Sequence, residues 1–361
     1  MMNLKLKKLT IATAAAVAMG TAGQAQSADV LFPYVVVSES VTTIINVINT
    51  GEADELHYRL WYKNGPNATD NLAACEEYDV MLPSSPKDIQ TIDIGARLDQ
   101  VKGVMFNDPS VNNNWMASTN SYALADGATL PLRGYVVIDN QTIADPQEED
   151  QTAAALAGEA FVFEYQSGAA WGYRAGNGWS TPDEAADFRM PMNGVAFNEG
   201  TNAGFGNRAM SVLPFNEATT RLFVTPLVDD MRSGNNTFGG APALVRTTMG
   251  EFGQTAMYDR DENPISGNRW QYVRCVGAFD VQDMLTELSA NRLVDGGWGW
   301  LNSEARVGSV ASNSASSHGM SVIKLEFNDG TSSFAGASAG VFNNAFLLRS
   351  RGFPGEPLGV R

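Results

Sequence analysis

The stretch from 29 to 65 constrains the fold more than any other part of the chain. It reads ADV, LFPYVVV, SESV, TTIINVIN, TGEAD, ELHYRLWYKN. Three apolar, β-branched runs are separated by polar turns. Val, Ile, Thr and Tyr favour strands because their side chains pack well on a pleated surface. Thr50-Gly51 supplies a turn after the second run. Leu56, Tyr58, Leu60 and Tyr62 then alternate with His57, Arg59, Trp61 and Lys63, the period of a half-buried strand. This is the opening of an antiparallel sheet.

The same texture recurs downstream. LRGYVVID (132–139), AGEAFVFEY (157–165), AAWGYRA (169–175) and SVLPFNEATTRLFVTPLV (211–228) read as β structure. So do Leu244–Thr248, Thr255–Tyr258, WQYVRCVGA (270–278) and MSVIKLEF (320–327). Asn328-Asp329-Gly330 is a hairpin turn signal, and Ser333–Phe346 pairs back after it. Ile89–Ile94 is a further strand, after a helical turn at Ser84–Asp88. Residues 66–78 and 104–130 read as loop, the latter a long surface excursion. Helix is confined to short pieces. Thr181 and Glu184 have capping-box spacing. Asp280 caps a second helix, in which Val281, Met284, Leu285 and Leu288 fall three and four apart. The expected fold is all-β and antiparallel, with one or two short helices. The expected domains are 26–176 and 211–350, joined by a linker at 177–210 and followed by a tail at 351–361. A loose echo of 41–49 in 218–226 fits a degenerate duplication.

The first residues read as a leader. Lys5, Lys7 and Lys8 precede a short Ala-rich run from Leu9 to Ala22, with Gly23 and Ala25 placed as a cleavage site requires. The run is shorter than the roughly 20 residues that span a bilayer. The expectation is a signal peptide over 1–25, export to the periplasm, cell surface or exterior, and no transmembrane segment in the mature chain. The formal charge is −16, and loss of the three leader lysines makes the mature chain more acidic. Such a surface repels phosphate backbones, so nucleic acid is not an expected partner. A hydrophobic fraction of 44% with 18% charged residues argues for a packed core rather than disorder. The two cysteines, Cys75 and Cys275, allow one disulfide in an oxidising compartment, closing a loop of about 200 residues; the alternative is two separate buried thiols.

The DVLFPY start, TTIINVINTG, LHYRLWYKN and the segment from Cys75 to Asp79 resemble the opening of uncharacterised secreted bacterial proteins with immunoglobulin-like β-sandwich folds. LRGYVVID, GEAFVFEYQSGAAWGYRA, MYDRDENPISG, YVRCVGAFD and GGWGWLN resemble their later blocks. The resemblance implies export and two packed β-sandwich domains, and it carries no catalytic motif.

Candidate chemistry is sparse. Gly336-Ala337-Ser338-Ala339-Gly340 matches a nucleophile-elbow string, but neither Asp nor His follows it, so the triad order of an α/β-hydrolase is broken. The two histidines, His57 in a strand and His318 in a loop, do not make a zinc set. A paired-carboxylate glycosidase is a minor alternative. Asp259, Asp261, Glu262 and Asn263 crowd one tight loop, and their hard oxygens suit Ca²⁺, the one metal considered. Asp145, Glu148, Glu149 and Asp150 form a weaker acidic run. No other cofactor is expected. Trp298 and Trp300 share a face if 296–302 is extended, and form a candidate interface; Trp61, Trp171, Trp179 and Trp270 read first as core. The expected function is a non-enzymatic surface role, structural, adhesive or in assembly, with protein or glycan as partner. The alternative is a periplasmic or extracellular glycan- or ligand-binding module, and less so a hydrolase or an outer-membrane barrel.

Overall fold

The structure, a computed structural model, describes residues 30–51, 55–95, 104–106, 129–139, 156–165, 169–177, 210–212, 219–227, 231, 243–248, 257–265, 269, 271–306, 317–328 and 340–349. The expected leader, the acidic run at 145–150, the capping box at 181–184, the Asp329-Gly330 turn, Ser338 and the tail lie outside these residues.

The first ten strands are β1 (Val30–Val37), β2 (Val41–Asn49), β3 (Glu55–Asn64), β4 (Glu76–Pro83), β5 (Asp88–Asp93), β6 (Val104–Phe106), β7 (Leu132–Asp139), β8 (Leu156–Glu164), β9 (Ala170–Arg174) and β10 (Gly176–Asn177). They make two five-stranded sheets, ordered β10-β1-β7-β3-β4 and β6-β5-β2-β8-β9. All their pairings are antiparallel. β1 and β2 lie in different sheets, as do β4 and β5, and β7 and β8, so the chain crosses repeatedly between the two. Period-two patterning places Ile45 and Val47 of β2, Leu56, Tyr58 and Leu60 of β3, and Val136 and Ile138 of β7 in one buried core. The Tyr58 hydroxyl donates to Gln90 of β5 across it, and burial raises the phenol well above its ordinary pKa. The sheets approach closely at Gly158, where an added Cβ would lie 2.6 Å from the Phe32 ring.

The later strands are β11 (Met210–Val212), β12 (Thr219–Leu227), β13 (Ala243–Thr248), β14 (Met257–Tyr258), β15 (Gln271–Val273), β16 (Gly277–Asp280), β17 (Trp298–Arg306), β18 (Ser317–Asn328) and β19 (Gly340–Arg349). They form a third, nine-stranded antiparallel sheet. Its central strands serve two cores. Phe223, Ile323 and Leu325 join the core of the first two sheets. Leu222, Val224 and Val322 pack in a second core with Met284, Leu285 and Leu293. Met284 ends a 3-10 turn, Val281–Met284, Leu285 follows it, and Leu293 lies in helix α1, Glu287–Val294. No helix among the described residues is long and apolar enough to cross a membrane.

Local expectations fail in five places, one of them β6 (Val104–Phe106), a strand paired with β5 inside the expected loop at 104–130. β4 begins at Glu76, inside the expected loop, because Glu76 and Glu77 pair opposite Tyr62 and Trp61 of β3. The expected strand at 270–278 is broken between β15 and β16 at Cys275, whose φ is 65°. The expected helix ending at Leu288 is split: Leu285 leaves the 3-10 turn in an extended conformation, α1 starts afresh, and Leu288 is 74% exposed. His318 lies in β18, paired with Ala305, rather than in a loop.

The three sheets meet at one irregularity. Pro33 has no N–H for a ladder and is tolerated in a strand only at an edge or bulge. The β1–β7 register shifts between Phe32 and Val35. The Tyr173 hydroxyl of β9 donates to the Tyr34 carbonyl, and the Tyr34 N–H donates back to it at 3.3 Å. The Thr225 hydroxyl of β12 donates to the Pro33 carbonyl. Above them the Tyr34 and Phe223 rings stack at 4.3 Å, and Trp171 lies parallel to Phe223 at 6.0 Å. Tyr173→Phe keeps the ring and strips the hydroxyl, leaving two buried backbone groups unpaired. We expect destabilisation of about 1–3 kcal/mol by denaturant titration, with an unchanged m-value.

Candidate functional site

The strand β3 places His57, Arg59, Trp61 and Lys63 on the face opposite Tyr58 and Leu60. Sequence periodicity marks that face as the wetter one. In the structure His57, Arg59 and Lys63 are all buried. On that side Tyr135 of β7, cross-strand from Trp61, reaches the Met231 carbonyl at 3.4 Å. The Lys63 amine donates to the Asp70 carbonyl at 2.6 Å, and burial with the nearby Arg133 charge lowers its pKa to about 8.

An ionisable row runs across β7, β3 and β4. The Arg59 guanidinium pairs with the fully buried Asp139 carboxylate. Nε2 of His57 lies 3.3 Å from Oδ1 of Asp79, off the line of a hydrogen bond. Both its ring nitrogens lack a hydrogen-bond partner among the described residues, although the side chain is only 4% exposed. Glu77 and Asp79 lie two residues apart on one face of β4, opposite Trp61 and Arg59 of β3. Burial, then the Asp79 charge, push the Glu77 carboxyl up to about 7, and Arg59 opposes this. The signal available in the sequence was the run of charged residues on alternate positions of β3 and β4; burial of that face was not visible there.

The acidic loop is arranged around Asp259. Its Oδ1 accepts from the backbone N–H of Asp261 at 3.0 Å and of Asn263 at 2.8 Å. Its Oδ2 accepts from Nη2 of Arg292 on α1 at 2.6 Å. Arg292 first, and then the turn amides, hold the carboxyl down at about 2. Glu262 sits at φ 63°, and Asp261 and Glu262 face water. These four residues thus close a turn against α1. Among the described residues no group of three or more His, Cys, Asp and Glu side chains is placed to hold a metal ion. Trp298 is 38% exposed and stacks on Tyr258 at 5.0 Å. Trp300 follows two residues on in β17, and its side chain lies outside the described residues.

The cysteines pair. Cys75 and Cys275 form a disulfide across 200 residues, with Cα atoms 5.4 Å apart. Asn71, missed in the sequence, stands beside it: Nδ2 donates to the Ala278 carbonyl at 3.2 Å and Oδ1 accepts the Ala278 N–H at 3.0 Å. Its side chain thereby acts as a one-residue strand on β16. The Arg274 N–H donates to the Asn71 carbonyl at 2.8 Å. No model of a known protein family matches the chain, and a search of curated proteins finds no match.

Breaking the buried ion pair from one side leaves a charge without its counterion. Arg59→Met is expected to cost about 3–5 kcal/mol in chemical unfolding, and Arg59→Met with Asp139→Leu to recover much of it.

Proposed function

We propose that the protein is an exported β-sheet protein that acts by presenting surfaces, in a structural, adhesive or assembly role at the cell surface, rather than by catalysis. The observation that carries this reading is the clamp between its halves: a disulfide, the Asn71 mimic of a strand and a shared aromatic core. A disulfide across so long a loop suits an oxidising compartment and a protein that must keep its shape there. The two five-stranded antiparallel sheets around one core support an immunoglobulin-like reading. The outer face of β2, β5 and β8 adds surface for contacts, with Ile89 and Phe163 exposed beside half-buried Ile48 and Phe161. A glycan- or ligand-binding role is the second reading, favoured by the exposed Trp298–Tyr258 stack.

Fractionation of cells making the full-length chain, with N-terminal sequencing and size analysis, tests the first reading. The expected material is exported, starts between Ala25 and Ala28, and is larger than a monomer. A cytoplasmic protein that retains Lys5 to Lys8, or a discrete exported monomer, would overturn the assembly role. Saturable quenching of tryptophan fluorescence by an oligosaccharide, lost in Trp298→Ala, would support the second.

A further inference from the structure

We propose that an amide bond joins Lys324 of β18 to Asn343 of β19, formed by the folded chain itself with Glu326 carrying the proton. β18 runs between β12 and β19. Its residues alternate in face: Ile323 and Leu325 join the core of the first two sheets, and Val322 joins the second core. Lys324 and Glu326 follow Val322 on that second face. They are 1% and 0% exposed, and the Lys324 amine lies 3.1 Å from Oε1 of Glu326. The ladders put Leu222 of β12 and Ala345 of β19 on either side of Lys324. They put Thr220 of β12 and Asn343 of β19 on either side of Glu326. Asn343 is thus the cross-strand partner of Glu326 and the diagonal neighbour of Lys324, a separation of about 7–8 Å that a long side chain spans.

The surroundings favour the reactive form of the pair. Moving one proton from an ammonium to a neighbouring carboxylate leaves a neutral amine beside a carboxylic acid, the form that apolar burial prefers. Burial holds the Lys324 amine below its ordinary pKa, against the pull of Glu326. A neutral amine is a nucleophile, and an adjacent carboxylic acid gives and takes the protons that acyl transfer requires. A buried face also excludes water as a competing nucleophile. The ion pair by itself leaves the fully buried Thr220 hydroxyl, opposite Glu326, without a hydrogen-bond partner among the described residues. That hydroxyl can donate to Glu326 as the carboxyl gives up its proton.

The step balances without a co-reactant. Nζ of Lys324 adds to the carboxamide carbon of Asn343 and forms the new C–N bond. Glu326 takes a proton from that nitrogen and delivers one to the departing amino group. The old C–N bond breaks and ammonia leaves. One amide replaces another, so nothing is oxidised or reduced. The product pins β19, which among the described residues pairs only with β18, to a central strand of the third sheet. It is separate from the Cys75–Cys275 disulfide and survives reduction.

The test is mass spectrometry of the full chain after folding, then reduction and denaturation. The linked protein is lighter than its sequence by one ammonia. Other losses of ammonia share that mass, so digestion after arginine and glutamate locates the bond. Segments 307–326 and 327–349 are expected as one branched peptide, lighter by one ammonia than the two together. Asn343→Ala is expected to release them separately at full mass. Glu326→Gln, which removes the cleavage site between them, is expected to give a linear 307–349 peptide at full mass. Separate full-mass segments from the wild type would overturn the bond, and that result decides even if neither variant folds. A branched peptide that persists in Asn343→Ala would overturn the assigned acceptor, and loss of ammonia from 307–349 in Glu326→Gln would overturn the proton carrier.

Discussion

The structure depends on how β1 handles Pro33. A strand that runs through the middle of a molecule must pair its backbone on both sides, and proline cannot donate. β1 yields at that point by a bulge, which turns the Pro33 carbonyl and both polar groups of Tyr34 away from the ladder. Two hydroxyls collect them, Tyr173 from the second sheet and Thr225 from the third. One local defect therefore becomes the place where three sheets are tied together. The aromatic stack of Tyr34, Phe223 and Trp171 closes over those bonds and keeps water from competing for them. Stacked pairs of this kind are worth about 0.5–1.5 kcal/mol each beyond the area they bury.

The second tie is at the Cys75 loop. Hydrogen bonds from Asn71 to Ala278 position the loop on β16, and the disulfide makes that placement permanent. Closing a loop of this length in the unfolded chain is worth about 5 kcal/mol in the entropic account. Cys275 sits where β15 ends and β16 begins, in a left-handed conformation that a residue with a Cβ adopts only under constraint. The Asn71 and Arg274 backbone contacts supply that constraint from outside the strand.

Much of this was legible in the residues and some was not. Alternation in 55–64 identified β3 and which residues share a face, because side-chain period in a strand is a local property. It could not say that the His57, Arg59 and Lys63 face is buried, since contacts on that side come from far along the chain, as where Tyr135 reaches Met231. β4 was hidden because Glu76, Glu77 and Asp79 have weak strand preference; pairing with β3 overrides it. Leu288 kept helical spacing with Val281, Met284 and Leu285, yet the 3-10 turn before α1 changes the phase and turns it outward. The two cysteines announced a disulfide as one of two outcomes, and only the fold brings them together. Pro33 inside an apolar run was the available signal for the bulge. For the loop at Asp259, composition suggested a cation; the geometry supplies Arg292 in that place.

The central claim is that the two halves form one cooperative body, joined at β1 and at the Cys75 loop. Differential scanning calorimetry of the intact, oxidised protein tests it most directly. The account predicts a single endotherm whose calorimetric and van't Hoff enthalpies agree. Two resolved endotherms, with β2 amides still protected after β12 has unfolded, would contradict it.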